Sequence, residues 1–202
     1  MSTTTLDIEA LAWAKQDGLL PAIVQDADTL RVLMLGYMNR AALAATLASG
    51  QVTFYSRSKQ RLWTKGESSG HVLALVSLDV DCDGDTLLVQ ARPHGPTCHL
   101  GRTSCFPGAP GDGLAELDAL IAQRERERPP GSYTTRLFED GIRRIAQKVG
   151  EEGVETALAA VAQDDDALLG EAADLLYHLL VLMRARGLGL ADIKRTLAIR
   201  RG

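Results

Sequence analysis

Three carboxylates alternate in Asp81-Cys82-Asp83-Gly84-Asp85, with a thiol between the first two. On an extended backbone, residues two apart share a side. Asp81, Asp83 and Asp85 would then face one way and Cys82 the other. Like charges this close repel unless a cation or solvent separates them. Asp-Gly is also strong turn chemistry, which accounts for Gly84 and Asp85. It does not account for a soft sulfur among hard oxygens, a set that suits two different metals. The remaining cysteines, Cys98 and Cys105, flank His99-Leu100-Gly101-Arg102-Thr103-Ser104. Three thiolates without a fourth fixed ligand fit a zinc site with one position open for water. Such a water ionises near neutral pH and can attack an electrophilic carbon. The plain alternative is that free cysteines act as small buried hydrophobes. Three before the chain's Phe106 and none after it, two of them in a Gly/Ser loop, favour metal. His99 has three readings: a fourth ligand, a proton carrier, or a hydrogen-bonding loop residue.

A second constellation lies towards the C-terminus. Phe138, Ile142, Ile145 and Val149 step by helical spacing and define a buried face. In that register Glu152 falls within about 40° of the face centre at 100° per residue. An ionised Glu is almost never buried unpaired. Glu155 follows three residues on. In the next helical stretch Leu168, Leu175, Leu179 and Leu182 mark the apolar face, with Glu171 on it and Asp174 at its edge. Two facing carboxylate pairs would make an all-oxygen nest for Mg²⁺ that keeps several waters. The alternatives are ordinary surface acids, or a pairing of Glu152 with Lys148. For Glu152 and Glu171 the register argues against both. Glu151 and Asp164-Asp165-Asp166 read as solvated. His178 faces inward and reads as a satisfied core histidine.

The elements that must carry these groups follow from pattern. Leu6 to Gln16 has helical spacing; Leu20 to Leu35 reads as a hairpin turning at Asp26-Ala27-Asp28. Asn39 caps a helix over 40–48 that Gly50 stops. Val52 to Tyr55 is a short strand, and His71 to Val80 a long one running into the acids, with 86–91 as its partner. Between them Arg57, Lys59 and Arg61 form a patch or a solvated edge. The loop Thr64-Lys65-Gly66-Glu67-Ser68-Ser69-Gly70 would let backbone N–H groups approach an anion, or is a solvent-exposed turn; its order is not that of a P-loop. Pro107 to Gly113 is dense in structure breakers and reads as a linker. After it the pattern is helical: 114–127, 137–163, 166–186 and 190–200. The expected fold is therefore two domains, α+β over residues 1–107 and all-α over 114–202, joined by 108–113.

Bulk properties narrow the class. A net charge of −4 argues against a general nucleic-acid binder. Met1 to Ala14 lacks a basic-then-apolar export pattern, no apolar run approaches a membrane span, and three cysteines without an export signal read as reduced thiols. The expected compartment is the cytoplasm.

Phe54-Tyr55-Ser56-Arg57-Ser58, the run from Arg61 to Gly70, Asp81-Cys82-Asp83-Gly84-Asp85 and the run from Cys98 to Phe106 together closely resemble the phosphoribosyl-AMP cyclohydrolase family, over residues 20–106. The resemblance implies a homodimer with zinc shared between chains, Cys82 from one and Cys98 and Cys105 from the other. It implies magnesium on Asp81, Asp83 and Asp85. It also implies substrate binding by Arg57, Arg61, Trp63, Lys65, Gly66, Glu67, Ser68 and Ser69, and His99 as proton carrier. Lys148-Val149-Gly150-Glu151-Glu152-Gly153-Val154-Glu155, followed by Glu171 to His178, looks like phosphoribosyl-ATP pyrophosphohydrolase, one of the all-α NTP pyrophosphohydrolases. That likeness implies magnesium on Glu152, Glu155, Glu171 and Asp174, with Glu152 and Lys148 in the catalytic machinery, and dimers formed through helices. Together the two imply a fused enzyme of histidine biosynthesis with small-molecule substrates. The second half would release pyrophosphate from phosphoribosyl-ATP. The first would then open the N1–C6 bond of phosphoribosyl-AMP with a zinc-activated water. Two other readings stay open at this point: a non-catalytic zinc clasp on a helical dimerisation domain, and a nucleotide-pool pyrophosphohydrolase with an accessory domain.

Overall fold

The structure, a computed structural model, describes residues 6–201. Residues 1–5 of the stretch read for an export pattern lie outside it. The chain divides between Asp112 and Gly113 into two compact units. In the first, strands β1 (Leu20–Asp26), β2 (Val32–Met38), β5 (Leu73–Val80) and β6 (Leu87–Pro93) form one sheet in the order β2-β1-β6-β5. Helix α1 (Arg40–Ser49) and a ribbon of β3 (Thr53–Ser56) and β4 (Arg61–Thr64) complete it. The β1–β2 and β5–β6 pairs are antiparallel; β1 also pairs with β6 in parallel. Along β1 every second residue is buried, Leu20, Ala22, Val24 and Asp26, and the first three join a core with Leu33, Met38, Leu43, Phe54, Leu73 and Val89.

Local chemistry sets the boundaries. Asn39 Oδ1 accepts from Ala42 N–H at 2.8 Å to open α1, and Gly50, left-handed at φ 68°, closes it. Asp26 Oδ1 accepts from the N–H groups of Asp28 and Thr29, shaping the β1–β2 turn. That turn is tied to β6 by Arg92, whose Nε and Nη2 reach the two Asp28 oxygens at 2.7 and 2.8 Å. The Arg92 hydrogen bonds hold the Asp28 carboxyl below its ordinary range, against the opposing effect of burial. A depressed carboxylate contributes stability above its unfolded value, near 3.8, and loses it as pH falls through the lower folded value. The pair is half exposed, so Arg92→Ala should cost under about 1 kcal/mol at neutral pH. In urea titrations at stepped pH, the gap from the parent protein should close once Asp28 is protonated in both states.

Residues 6–16 do not form the expected single helix. They make two short 3-10 turns, Ile8–Ala10 and Trp13–Gln16, because tertiary contacts claim the segment: Trp13 Nε1 donates to Ile8 C=O at 2.7 Å and Ala12 N–H to Gly84 C=O at 2.8 Å. Gly36 in β2 faces Phe54, and any Cβ there would run into that ring. Gly36→Ala should lower unfolding stability by about 1–3 kcal/mol, the usual cost of overpacking, read from the urea midpoint.

The second unit is five helices: α2 (Gly113–Glu127), α3 (Tyr133–Asp140), α4 (Ile142–Ala162), α5 (Asp165–Arg184) and α6 (Leu190–Arg200). The long helix expected over 137–163 is two. Gly141 breaks it at φ 84° and ψ 173°, a conformation that costs glycine little and an L side chain much. Ser132 Oγ accepts from Thr135 N–H and starts α3 before the expected boundary. Phe138 thus lies on a different helix from Ile145, and Ile142 is exposed. On α5 the most buried residues are His178, Leu180 and Val181, while Leu168, Leu175, Leu179 and Leu182 are half-buried. The core gathers Ile121, Leu137, Ile145, Leu180 and Val181. Among the described residues no helix is long and apolar enough to cross a membrane.

Candidate active sites

In the first unit the end of β4, the loop after it and the segment 96–105 enclose an open cavity of about 570 Å³. Trp63, Lys65, Gly66, Glu67, Ser68, Ser69, Cys98, His99 and Cys105 all line it. Gly66 is what lets the loop fold back. It sits at φ 89° with the main chain of His71 and Val72 where a Cβ would be, and Gly70 N–H closes onto Gly66 C=O at 2.9 Å. Cys98 is held in a tight loop by its N–H to Arg102 C=O, and Cys105 is fixed to β2 by its N–H to Leu33 C=O at 2.8 Å. The neighbouring Ser104 Oγ donates to Val32 C=O at 2.7 Å. Burial, then the adjacent Cys98, push the Cys105 thiol up. A thiol raised in this way beside a second sulfur makes a donor pair that a soft cation would stabilise. Cys82 does not join them: it is exposed on the β5–β6 turn and lines no part of this cavity.

The anion-binding set is placed unevenly. Lys65 is buried, its Nζ donating to His71 C=O at 3.2 Å; burial lowers its affinity for a proton, opposed by Cys105 and Cys98 nearby. Arg61 is paired with Glu67 at 2.6 Å and lines a smaller cavity of about 180 Å³ that shares Trp63, Glu67 and Ser68 with the first. Arg57 lines neither of these two cavities and lies over the Tyr37 ring, 3.8 Å from its centroid. His71 also lines the main cavity, as does Thr97, whose buried hydroxyl finds no partner. The sequence reading gave neither residue a role; a histidine directly after Gly70 was the available signal.

The acids at 81–85 converge, but not by strand alternation. Strand β5 ends at Val80, and the acids sit in a turn with Gly84 at φ 78°. Asp81 Oδ1 accepts from Asp85 and Thr86 N–H, each at 3.0 Å. Burial would raise the Asp81 carboxyl, and these hydrogen bonds outweigh it, leaving it below the ordinary range. One oxygen from each of Asp81, Asp83 and Asp85 lies within 4.8 Å of the others. Lys15, 68 residues from Asp83 in sequence, places Nζ 2.6 Å from Asp83 and 3.4 Å from Asp85. An all-oxygen donor set of this spacing fits a hard divalent cation.

In the second unit α4 and α5 bring Glu152, Glu155 and Glu171 together, their oxygens also within 4.8 Å. Glu152 is 4% exposed, Glu171 half-buried and Glu155 at the open edge. Asp174, expected as a fourth ligand, is exposed and outside this group. The pairing with Lys148 that the register argued against is present: Nζ lies 2.7 Å from Glu152 Oε1 and 3.0 Å from Glu151 Oε2, and both raise the lysine above its ordinary value. One cation does not neutralise the cluster. Burial, then Glu152 and Glu171, push the Glu155 carboxyl up, so the donor set again fits a hard cation. His178 is buried with both ring nitrogens engaged, by Tyr133 Oη and by Asp174 C=O.

Among the described residues, the first unit thus presents a thiol pair in a cavity wall and a carboxylate triad, and the second unit a carboxylate triad, donor sets that could hold metal. The family model of phosphoribosyl-AMP cyclohydrolase matches residues 34–107, and that of phosphoribosyl-ATP pyrophosphohydrolase matches residues 114–201. Both families comprise metal-dependent hydrolases. Curated relatives named histidine biosynthesis bifunctional protein HisIE match the whole arrangement. The Xanthomonas axonopodis pv. citri protein is 78% identical over 185 residues, 92% of this chain and 90% of its own. That of Xylella fastidiosa (strain Temecula1) is 74% identical over 199 residues, 98% and 97% of the two chains. That of Shewanella oneidensis is 56% identical over 200 residues, 98% and 95%. The chain belongs to this bifunctional histidine-biosynthesis family, with a cyclohydrolase in its first half and a pyrophosphohydrolase in its second.

Proposed function

We propose that the second unit acts first, releasing pyrophosphate from phosphoribosyl-ATP with Mg²⁺ held by Glu152, Glu155 and Glu171. The first unit then opens the N1–C6 bond of the resulting phosphoribosyl-AMP with Zn²⁺ held at Cys98 and Cys105. The carrying observation is the paired placement: three oxygens of α4 and α5 within 4.8 Å, and two thiols in the wall of a nucleotide-sized cavity. When bound, zinc supplies a water ionised near neutral pH, and magnesium neutralises phosphate oxygens and lowers the pKa of water. Glu152 is the carboxylate buried deepest, so it orients the attacking water, while Lys148 offsets its charge. Asp174, exposed beside the cage, contributes through water. In the cyclohydrolase cavity His99 carries a proton towards N1 as the ring opens. Trp63 walls the base; Ser68, Ser69 and the N–H of Gly66 receive phosphate, with Lys65, Arg57 and Arg61, released from Glu67, adding charge. Asp81, Asp83 and Asp85 would hold a second Mg²⁺ in the place that the Lys15 ammonium takes beside Asp83 and Asp85.

A third thiol for zinc must come from elsewhere, which supports a homodimer in which Cys82 of a second copy completes the site. The exposed stripe Val154, Leu158 and Val161 on α4, with Leu169 on α5, supports helix-to-helix contact in the same dimer. Domain bounds of 1–107 and 114–202 with a linker at 108–113, and a cytoplasmic location, complete the reading. Incubation with phosphoribosyl-ATP, following pyrophosphate and the ring-opened product separately, tests it. Pyrophosphate should appear first, and ring opening should be lost with zinc chelation while pyrophosphate release continues. Product formation that survives complete zinc removal would refute the zinc assignment.

A further inference from the structure

The buried His178 is engaged in a way that fixes its hydrogens. Nδ1 lies 2.9 Å from the main-chain carbonyl of Asp174. A carbonyl only accepts, so Nδ1 carries the N–H. With one hydrogen on the ring, Nε2 is then the acceptor, and the Tyr133 hydroxyl, 3.0 Å away, is placed to donate to it. The same Nδ1 lies 3.5 Å from Glu152 Oε1. The ring cannot easily turn away: Tyr133 and Tyr177 meet it edge-on at 6.0 and 5.0 Å between centroids, and Tyr177 is itself held by Thr134 at 2.7 Å. Lys148 and His178 thus both approach Oε1 of Glu152.

We propose that Tyr133 and His178 are positioning residues for Glu152: the Tyr133 O–H holds the imidazole with its hydrogen on Nδ1, and that N–H, bonded to Asp174 C=O and 3.5 Å from Glu152 Oε1, orients the carboxylate towards the cation. The inference rests on the metal-holding role proposed above for Glu152. Without the Tyr133 hydroxyl the other tautomer becomes accessible. It would set an imidazole lone pair against a carbonyl and a carboxylate, and Glu152 would lose its fixed orientation. Outer-shell partners of this kind change metal affinity by about 10–100-fold.

The test is Mn²⁺ binding to the full chain by electron paramagnetic resonance, with Glu152→Gln defining which bound ions belong to the cage and circular dichroism confirming the fold of each variant. Tyr133→Phe and His178→Gln should weaken the cage site about 10-fold. His178→Asn keeps an N–H near the Nδ1 position and should bind within about 3-fold of the parent, since one donor is retained. Unchanged affinity in Tyr133→Phe and His178→Gln would overturn the inference while leaving the role of Glu152 intact. Equal weakening in His178→Asn would overturn it too, marking a packing effect. Should Glu152→Gln itself leave Mn²⁺ binding unaltered, the metal role of Glu152 falls, and this inference with it.

Discussion

Glu152→Gln is expected to lower pyrophosphate release by about 10²–10³, the scale of losing one preorganised electrostatic group at a reacting centre. Ring opening of added phosphoribosyl-AMP should stay within about 2-fold of the parent, because sites in separate units with no shared partners behave additively. The substitution is nearly isosteric and keeps a carbonyl oxygen for Lys148, so it removes a charge and little else. Lys148 is not orphaned, since Glu151 stays 3.0 Å from it. The charge matters because Glu152 is the one carboxylate of the three that is fully buried. Its negative charge is the least screened and contributes most to holding a cation. Glu155 and Glu171 remain, but a two-carboxylate remnant beside Lys148 is a poor site. Separate assays of the two products decide the matter. Pyrophosphate release close to the parent rate would rule out the cage as the site; loss of both activities would indicate a folding defect.

Much of this arrangement was legible in the sequence, where the physics is local. Asn39 and Gly50 marked the ends of α1 because capping involves only neighbours, and the register of Ile145 and Val149 placed Glu152 inside because helical period is a local property. The register survived even though Phe138 belongs to another helix. Gly141 leaves no mark on the pattern because an apolar repeat continues across it, and nothing in a periodicity count registers a positive φ. The alternation at 81–85 suggested carboxylates sharing a strand face. A turn closed by the Asp81 side chain brings them together instead, so the grouping was legible and its cause was not. Lys15 was out of reach for a different reason: it meets Asp83 across 68 residues, through a segment whose shape is set by contacts with the turn itself. The parallel pairing of β1 with β6 is non-local in the same way. The role of Asp174 shows the limit of angular reasoning, which located the residue at the edge of a face and could not say whether its carboxylate reaches the neighbouring acids.

Cys98→Ser should reduce ring opening by more than about 10²-fold, beyond what loss of an outer-shell contact costs, and bring zinc content close to zero, while pyrophosphate release persists. Serine keeps the size of the side chain and loses the thiolate, so the Cys98 loop, fixed by main-chain bonds to Arg102 and Gly101, should hold its shape. Cys82→Ser is expected to have the same effect although Cys82 lies outside the cavity. Mixing the two inactive variants under conditions that exchange subunits separates the possibilities. In a symmetric dimer with a shared site, a mixed pair joins one chain's intact Cys82 to the other's intact Cys98 and Cys105. One of its two sites is then whole and the other lacks both thiols. Random exchange makes half the dimers mixed, so about a quarter of the parent activity should return. A site made within one chain regains nothing on mixing, because each chain carries its own defect. Recovery of ring opening together with zinc in the mixed sample therefore distinguishes a shared zinc from a zinc that needs Cys82 only for folding.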